Sequence, residues 1–520
     1  MAGKTRSFAS NVLRELPGCQ PAARKPDGSA WFESPAAKLP LACGSIMRNG
    51  GIFDSAFAYP FGRGSEWAAA YVFRVPDFGG LAVAWSHGKQ FHAVSGKIPA
   101  ALWDERKMHE ISGVEFLGLS DTRPIVAHPE NARLNKKCRA VGKKAQGYAF
   151  EGTGAEGEFE IPVGPVHAGI IEPGHFRFHV SGEGINKMEA RLSYLHRGIE
   201  GAAKGKKIQG AFGIVEQVSG DESAANSVAF AQAAESLAGI NAPPAAQSLR
   251  LIMLEQERIY SHLADLGGIA LDVGFSSPAC QFLALRESMM RLNEKYFGNR
   301  FLRNLVAIGG IAQGMPREKT RGMLKEMESL SESLLEIESL TLSSSTFLDR
   351  AFSAGKVSAS TAVELGLVGP AARASGISCD ARKLFPYGAY RHVRLNEAVA
   401  KGGDALSRFM VKLNEIKESS RLIRAEIQRM PSGAYCASGV QHALAGVPEG
   451  ETAMGICEAP RGSCTFLLQS GKGGAIGNLS IRTASFRNWR ALERAVLSNI
   501  IADFPLINKS FNLSYSGSDL

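Results

Sequence analysis

The residues best suited to chemistry lie in one short stretch, EQVSGDESAANS from Glu216 to Ser227. Ser219, Gly220 and Asp221 carry turn and N-cap chemistry, Glu222 supplies acid to a first helical turn, and an Ala-rich run to Leu237 follows. A turn feeding a helix start presents free amides and the positive end of the helix dipole, which suits anions and proton carriers. An ordinary capped helix shares this local pattern, so context decides. GPVHAGIIEPGHFRF (Gly164 to Phe178) brings His167, SYLHRGIE (Ser193 to Glu200) brings His196 and Arg197, and CEAPRGSC (Cys457 to Cys464) brings Arg461. The eight cysteines form no C-x-x-C, so neither a metal tetrad nor a redox dithiol is signalled.

The elements that must position these groups follow from length and pattern. A chain of 520 residues holds two or more domains with ample core, and 45% hydrophobic with 21% charged residues is ordinary for a globular protein. The net charge of +9 is dispersed, and no base-reading motif points to nucleic acid. No run of about 18 apolar residues is long enough to span a bilayer. The start of the chain has no export pattern, so a cytoplasmic setting with reduced cysteines is expected.

Residues 1 to about 40 show no sustained period and are expected to be partly loose. From Gly44, runs such as AAAYVFRV and GLAVAW, broken by Pro-Asp and Gly-Gly turns, predict a small α+β domain over 1–130. Asn131 to Gly157 reads as a polar linker, and 158–520 as the main domain. At its centre, SLRLIMLEQERIYSHLADLGGIALDVG predicts a helix ending at Gly267 and Gly268, with Tyr260, His262 and Asp265 near its end. His262 and Asp265 at i and i+3 either extend a proton path or cap a solvated helix end. Stripes at Met323, Met327, Leu330, Leu334, Ile337 and at Leu406, Phe409, Leu413, Ile416, Ile423, Ile427 predict a helical bundle. Strands and turns return in the last hundred residues.

Taken in order, these motifs resemble the large subunits of membrane-bound, energy-converting [NiFe]-hydrogenases and the homologous 49 kDa subunit of respiratory complex I. Trp103, Glu105, Arg106, Gly113, Val114, Phe116, Gly118 and Arg123 are similar to the closing signature of the 30 kDa subunit of complex I, and energy-converting hydrogenases fuse such a domain ahead of the large one. The resemblance implies an α+β protein: a small N-terminal α+β domain, then a hydrogenase-large-subunit-like domain with a central helical bundle and short peripheral sheets. In those hydrogenases four cysteines hold the metals, in R-x-C-G-x-C-x-x-x-H and D-P-C-x-x-C segments. Laid on this sequence, the ligand positions are Ser219, Glu222, Ser514 and Gly517, with Gln217 and Asn226 beside the first pair and Asn512 beside the second. Every thiolate position is vacant, so no nickel-iron centre is expected and no cofactor on this chain.

The same resemblance assigns roles. Glu216 stands where hydrogenases keep a proton-relaying glutamate, and Glu222 adds a second acid. Carboxylates this close repel and push one pKa up, which makes a proton relay without a metal. Arg461 of EAPRG faces the metal site in hydrogenases and the quinone cavity in complex I, and is expected beside Glu216 or Glu222. His167 takes the place of a quinone-contacting histidine, Gln217 that of a quinone-binding tyrosine, and His196 and Arg197 lie near the iron-sulfur subunit. The implied partners are an iron-sulfur small subunit like that of complex I, holding a [4Fe-4S] cluster, and membrane subunits of complex I or antiporter type. The implied place is the cytoplasmic face of the inner membrane. Three functions compete: a redox-complex subunit passing electrons to quinone or another acceptor with ion translocation; a non-catalytic scaffold or proton relay joining peripheral and membrane arms; and, least favoured by its ligands, a hydrogenase with atypical donors.

Overall fold

A computed structural model describes residues 2–15, 19–21, 25, 27–62, 66–126, 148–152, 154, 156–168 and 171–520. Most of the expected linker, 131–147, lies outside the described residues. The fold is α+β, with several small sheets around a helical centre.

In the N-terminal part, five strands stand in the order Gln20–Pro21, Ala30–Glu33, Gly80–Gly88, Glu66–Val75, Ile52–Phe61. Ala30–Glu33 runs parallel to Gly80–Gly88, and the other neighbours are antiparallel. The AAAYVFRV run forms the Glu66–Val75 strand, and its alternation splits the sheet into two buried faces. Ala69, Tyr71 and Phe73 pack under the helices Ala2–Glu15, Leu39–Arg48 and Leu102–Ser112. Ala68, Ala70 and Val72 face the opposite way and meet Met454 and Leu467 of the main part. Within residues 1–40, expected to be partly loose, Ala2–Glu15 is a packed helix. Phe8 and Val12, four apart on Ala2–Glu15, bury against Phe32 and Leu39, so tertiary packing fixes a helix that its own weak pattern does not announce.

The main part is built on the helix Pro244–Asp272, against which Ser276–Phe297 and Ala405–Arg429 pack, with Arg317–Leu342 laid on the latter two. Both apolar stripes face this core, with Leu330 and Leu406 at its edge. The central helix does not end at Gly267 and Gly268. A Cβ on Gly267 would lie 3.2 Å from the Ala279 carbonyl oxygen, and one on Gly268 would lie 2.7 Å from Lys509 Cδ. These glycines permit close approach of neighbouring elements inside a helix, and the turn comes later, at Gly274 in the left-handed region.

Thr452–Ala459 and Gly462–Ser470 form a hairpin extended by Ile476–Arg482. It lies on the Ala-rich helix Ser223–Ala238, whose small side chains let the backbones approach. A second three-stranded sheet, Phe159–Val163, His175–Ser181 and Gly184–Arg191, carries the His167 loop. Buried ion pairs tie the two parts of the chain: Arg487 of the main part donates to Asp54 at 2.9 and 2.7 Å.

Candidate functional site

The site forms where the loop before Ser223–Ala238 meets the C-terminal tail. Asn512 takes a left-handed conformation that ends the helix Phe504–Phe511, a position asparagine tolerates. Ser514 then caps the last short helix, accepting the Gly517 amide at 2.9 Å. This geometry delivers Ser514 to the loop, with Ser219 Oγ 3.1 Å from Ser514 Oγ and 2.9 Å from Asp221 Oδ1. A Cβ on Gly517 would stand 3.0 Å from Ser514 Oγ and 3.4 Å from Ser219 Cβ. Positions 219, 514 and 517, nearly 300 residues apart in the chain, therefore converge, and Asp221 links them to Glu222 through Arg461.

Arg461 organises the charges. Its guanidinium forks onto Asp221 at 2.9 and 2.7 Å, lies 3.4 Å from Glu222, and donates from Nε to the Asn512 carbonyl. Its backbone amide donates to Glu222 at 3.1 Å. Burial pushes Asp221 up, but the Arg461 charge and hydrogen bonds outweigh it and hold the carboxyl below its usual range. For Glu222, burial wins over Arg461, with the Asp221 charge adding to it, and the pKa is raised. The acid that couples to Glu222 is thus Asp221, not Glu216. This corrects the expected pairing: Glu216 ends the short helix Phe212–Val215 and is turned onto the Asn304 amide and Ser227, while Glu222 is held by Arg461.

Glu216 is 2% exposed and accepts hydrogen bonds from the Asn304 amide at 2.8 Å and Ser227 Oγ at 3.3 Å. Burial raises its pKa, and these bonds and the charge of Arg303 oppose the rise. The helix cap also differs from expectation. Glu222 holds the N-cap position, but its side chain is committed to Arg461. Glu257, on the central helix, instead accepts the Ala224 and Ala225 amides at 2.6 and 2.9 Å. Burial lifts Glu257 well above the carboxylate range, making it a third protonatable acid at one helix start.

Among the described residues, neither His167 nor Gln217 hydrogen-bonds to Arg461. His167 Nε2 donates to the Gly174 carbonyl at 2.8 Å, bracing its own loop. Gln217 is exposed, and its carbonyl accepts Arg197 at 2.5 Å. Arg197 also reaches the Val218 and Ser516 carbonyls, and His196 Nδ1 donates to the Asp519 carbonyl at 2.7 Å. His196 and Arg197 clamp the tail to the loop. Asn226, beside Glu222, turns back to the Glu222 carbonyl at 2.8 Å.

Tyr260, His262 and Asp265 are buried rather than solvated. Ser261 Oγ and Tyr260 hold the Asp221 carbonyl at 3.1 and 3.3 Å. Asn512 donates to Asp265, which pairs with Lys412 at 2.6 Å, and His262 bridges to Glu415 at 2.9 Å. From Glu415 the buried charges continue through Arg373 at 2.7 Å, Glu458 at 2.8 Å from Arg373, and Asp380, Arg382 and Glu255. Sequence reasoning missed Glu257, Lys412 and this chain of pairs, and took Asp221 only as a turn and N-cap residue. Asp221 was legible as part of the loop; the others lie on distant segments with nothing local to single them out.

Comparison with known proteins follows the same lines. Residues 272–447 match the family model for the respiratory-chain NADH dehydrogenase 49 kDa subunit. Formate hydrogenlyase subunit 5 of Escherichia coli is 30% identical over 83% of this chain and 77% of its own length. The carbon monoxide-induced hydrogenase of Rhodospirillum rubrum is 34% identical over 68% and 97%, and the D subunit of the NADH-quinone oxidoreductase of Trichlorobacter lovleyi is 29% identical over 67% and 95%. The class is therefore that of hydrogenase-related, complex I-like oxidoreductase subunits. Within it, the chain belongs to the superfamily that joins the complex I 49 kDa subunit to the large subunits of [NiFe]-hydrogenases. Nickel and iron in such a site call for soft thiolates. Two hydroxyls bonded to one another, a glutamate held by arginine and a glycine do not fit that group.

Proposed function

We propose that this chain is the large subunit of a complex I-like or energy-converting hydrogenase-related membrane complex, and that it carries no nickel-iron centre. The observation behind this reading is the 3.1 Å contact between Ser219 and Ser514, with Glu222 turned onto Arg461 and no side chain at position 517. The Arg461 guanidinium, forked onto Asp221 and 3.4 Å from Glu222, fixes positive charge beside both carboxylates. The partners are an iron-sulfur small subunit holding a [4Fe-4S] cluster and membrane subunits of complex I or antiporter type. Among the described residues no helix is long and apolar enough to cross a membrane, and attachment to the cytoplasmic face is through those subunits. Electrons pass from the partner cluster to a quinone or another acceptor, coupled to ion translocation. Glu216 and Glu222 move protons, their carboxyls raised by burial toward the range where exchange is useful.

A second reading, a scaffold that relays protons or conformational change without redox chemistry, is favoured by one observation. His167 is committed to Gly174 and Gln217 is exposed, and among the described residues neither hydrogen-bonds to Arg461. Purifying the complex through a tag on this chain and supplying reductant to the iron-sulfur subunit separates the two. Reduction of a soluble quinone that falls on Arg461→Ala supports the redox reading. No reduction by a cluster-loaded complex supports the scaffold.

A further inference from the structure

A cleft of about 260 Å³ opens between the N-terminal sheet unit and the far end of the helix Ser223–Ala238, the end opposite the loop and tail cluster. Its walls are apolar and aromatic: Leu81, Leu254 and Ile456 with the rings of Phe385 and Tyr387. Its inner charges are engaged within the protein. Glu235 grips Arg250 at 2.6 and 3.1 Å, and Asp27 accepts the Met454 amide at 2.8 Å. Arg391 lies exposed at the rim, its Nε on the Pro386 carbonyl at 3.1 Å. The tyrosine hydroxyls are committed as well. Tyr387 bonds to Cys457 Sγ at 3.3 Å and accepts the Glu458 amide at 3.1 Å, and Tyr390 donates to Glu255, so only their rings are left to a ligand. What stays free is half of each of two side-chain amides. Gln232 Oε1 accepts the Ile456 amide at 3.1 Å, which leaves its NH2 without a partner among the described residues. Gln247 Nε2 donates to the Ala242 carbonyl at 2.7 Å, which leaves its side-chain oxygen free in the same sense.

We infer that this interdomain cleft binds an uncharged, planar nitrogen heterocycle of nucleobase chemistry. The edge of a base carries donors and acceptors together, and Gln232 and Gln247 offer it a donor and an acceptor. Because the other end of each amide is already bonded, the atom left for the ligand is set before it arrives. An aromatic ring among aliphatic walls suits a flat π-face. With Glu235, Arg250 and Asp27 already engaged, the interior favours a neutral ligand. The volume, just below the usual range for drug-sized ligands, fits a base or a nucleoside rather than a strand. The inference does not rest on the redox reading above.

Calorimetric titration of the purified full chain tests it, with adenosine, cytidine and uridine as probes and ribose as the sugar control. Saturable binding is expected for at least one nucleoside and not for ribose, weakened about tenfold or more by Tyr387→Leu and by Gln247→Met. Gln247 is partly exposed, so its variant does not endanger folding; Arg291→Gln, on an exposed helix face, is the unaffected control. Preference for adenosine assigns a purine, and preference for cytidine or uridine a pyrimidine. No saturable binding of any nucleoside, equal binding of ribose, or binding that both cleft variants leave unchanged, overturns the inference.

Discussion

Replacing Arg461 with alanine removes the cation that Asp221 and Glu222 both face, at 2.7 and 3.4 Å. Arg461 is 9% exposed and Glu222 is 3% exposed. Removing one partner of a buried ion pair costs about 3–5 kcal/mol. The Asp221 side chain keeps 29% of its surface, so water shares its charge, and the expected loss is about 3 kcal/mol, at the low end of that range. The pH dependence has a definite sign. Asp221, depressed by Arg461, contributes stability that is present above the ordinary carboxylate range and lost as pH falls through its lowered value. Glu222 is raised, so the native state holds its proton more tightly and loses stability as pH rises through that raised value. Without Arg461 both carboxyls rise, so the deficit of the variant is largest near pH 8 and shrinks toward pH 5. Urea unfolding followed by circular dichroism at both pH values measures it. Asp221→Asn combined with Arg461→Met should recover part of the loss, because one of the two stranded charges is removed and only Glu222, whose pKa is already raised, is left to take up a proton. A deficit below about 1 kcal/mol at pH 8, or the same deficit at both pH values, refutes the reasoning.

Three other outcomes are expected. Glu216→Gln keeps an acceptor for the Asn304 amide but cannot carry a proton, so turnover of the assembled complex should drop about tenfold or more while assembly is intact; unchanged turnover across pH removes Glu216 from the relay. Gly455→Ala would drive a Cβ into the Ala229 carbonyl oxygen, forcing the hairpin off the helix Ser223–Ala238 and costing about 1–3 kcal/mol or more in thermal or urea unfolding; a neutral result means the two backbones are less closely packed. Asp519 is buried and its carboxyl is pushed up to about 7, so wild-type stability declines as pH rises through that value. In Asp519→Asn part of that decline between pH 5 and pH 8 should vanish, and identical pH profiles for both proteins contradict the assignment.

The convergence of Ser219, Ser514 and Gly517 was legible because each falls within a short motif whose spacing carries over whole. Arg461 was legible as a neighbour of the loop for the same reason, but which acid it grips was not. A choice among Glu216, Asp221 and Glu222 depends on how the turn between the helices Phe212–Val215 and Ser223–Ala238 aims its side chains. Glu257 caps that helix from 33 residues away, and Arg373 meets Glu415 from 42 away, with no local pattern linking either pair. Gly267 and Gly268 were misread for a related reason. A glycine that ends a helix and one that admits a neighbour look the same until the neighbour is placed. The α+β class and the helical centre, by contrast, rest on repeated apolar spacing, which survives wherever core must be made.

The central claim, that a hydrogenase-type cradle persists here with oxygen donors in place of its sulfur donors, is tested most directly by metal analysis of the intact complex purified through this chain. Nickel far below stoichiometric, alongside iron accounted for by the partner's cluster, is the predicted result. One nickel per chain, retained through purification, contradicts it.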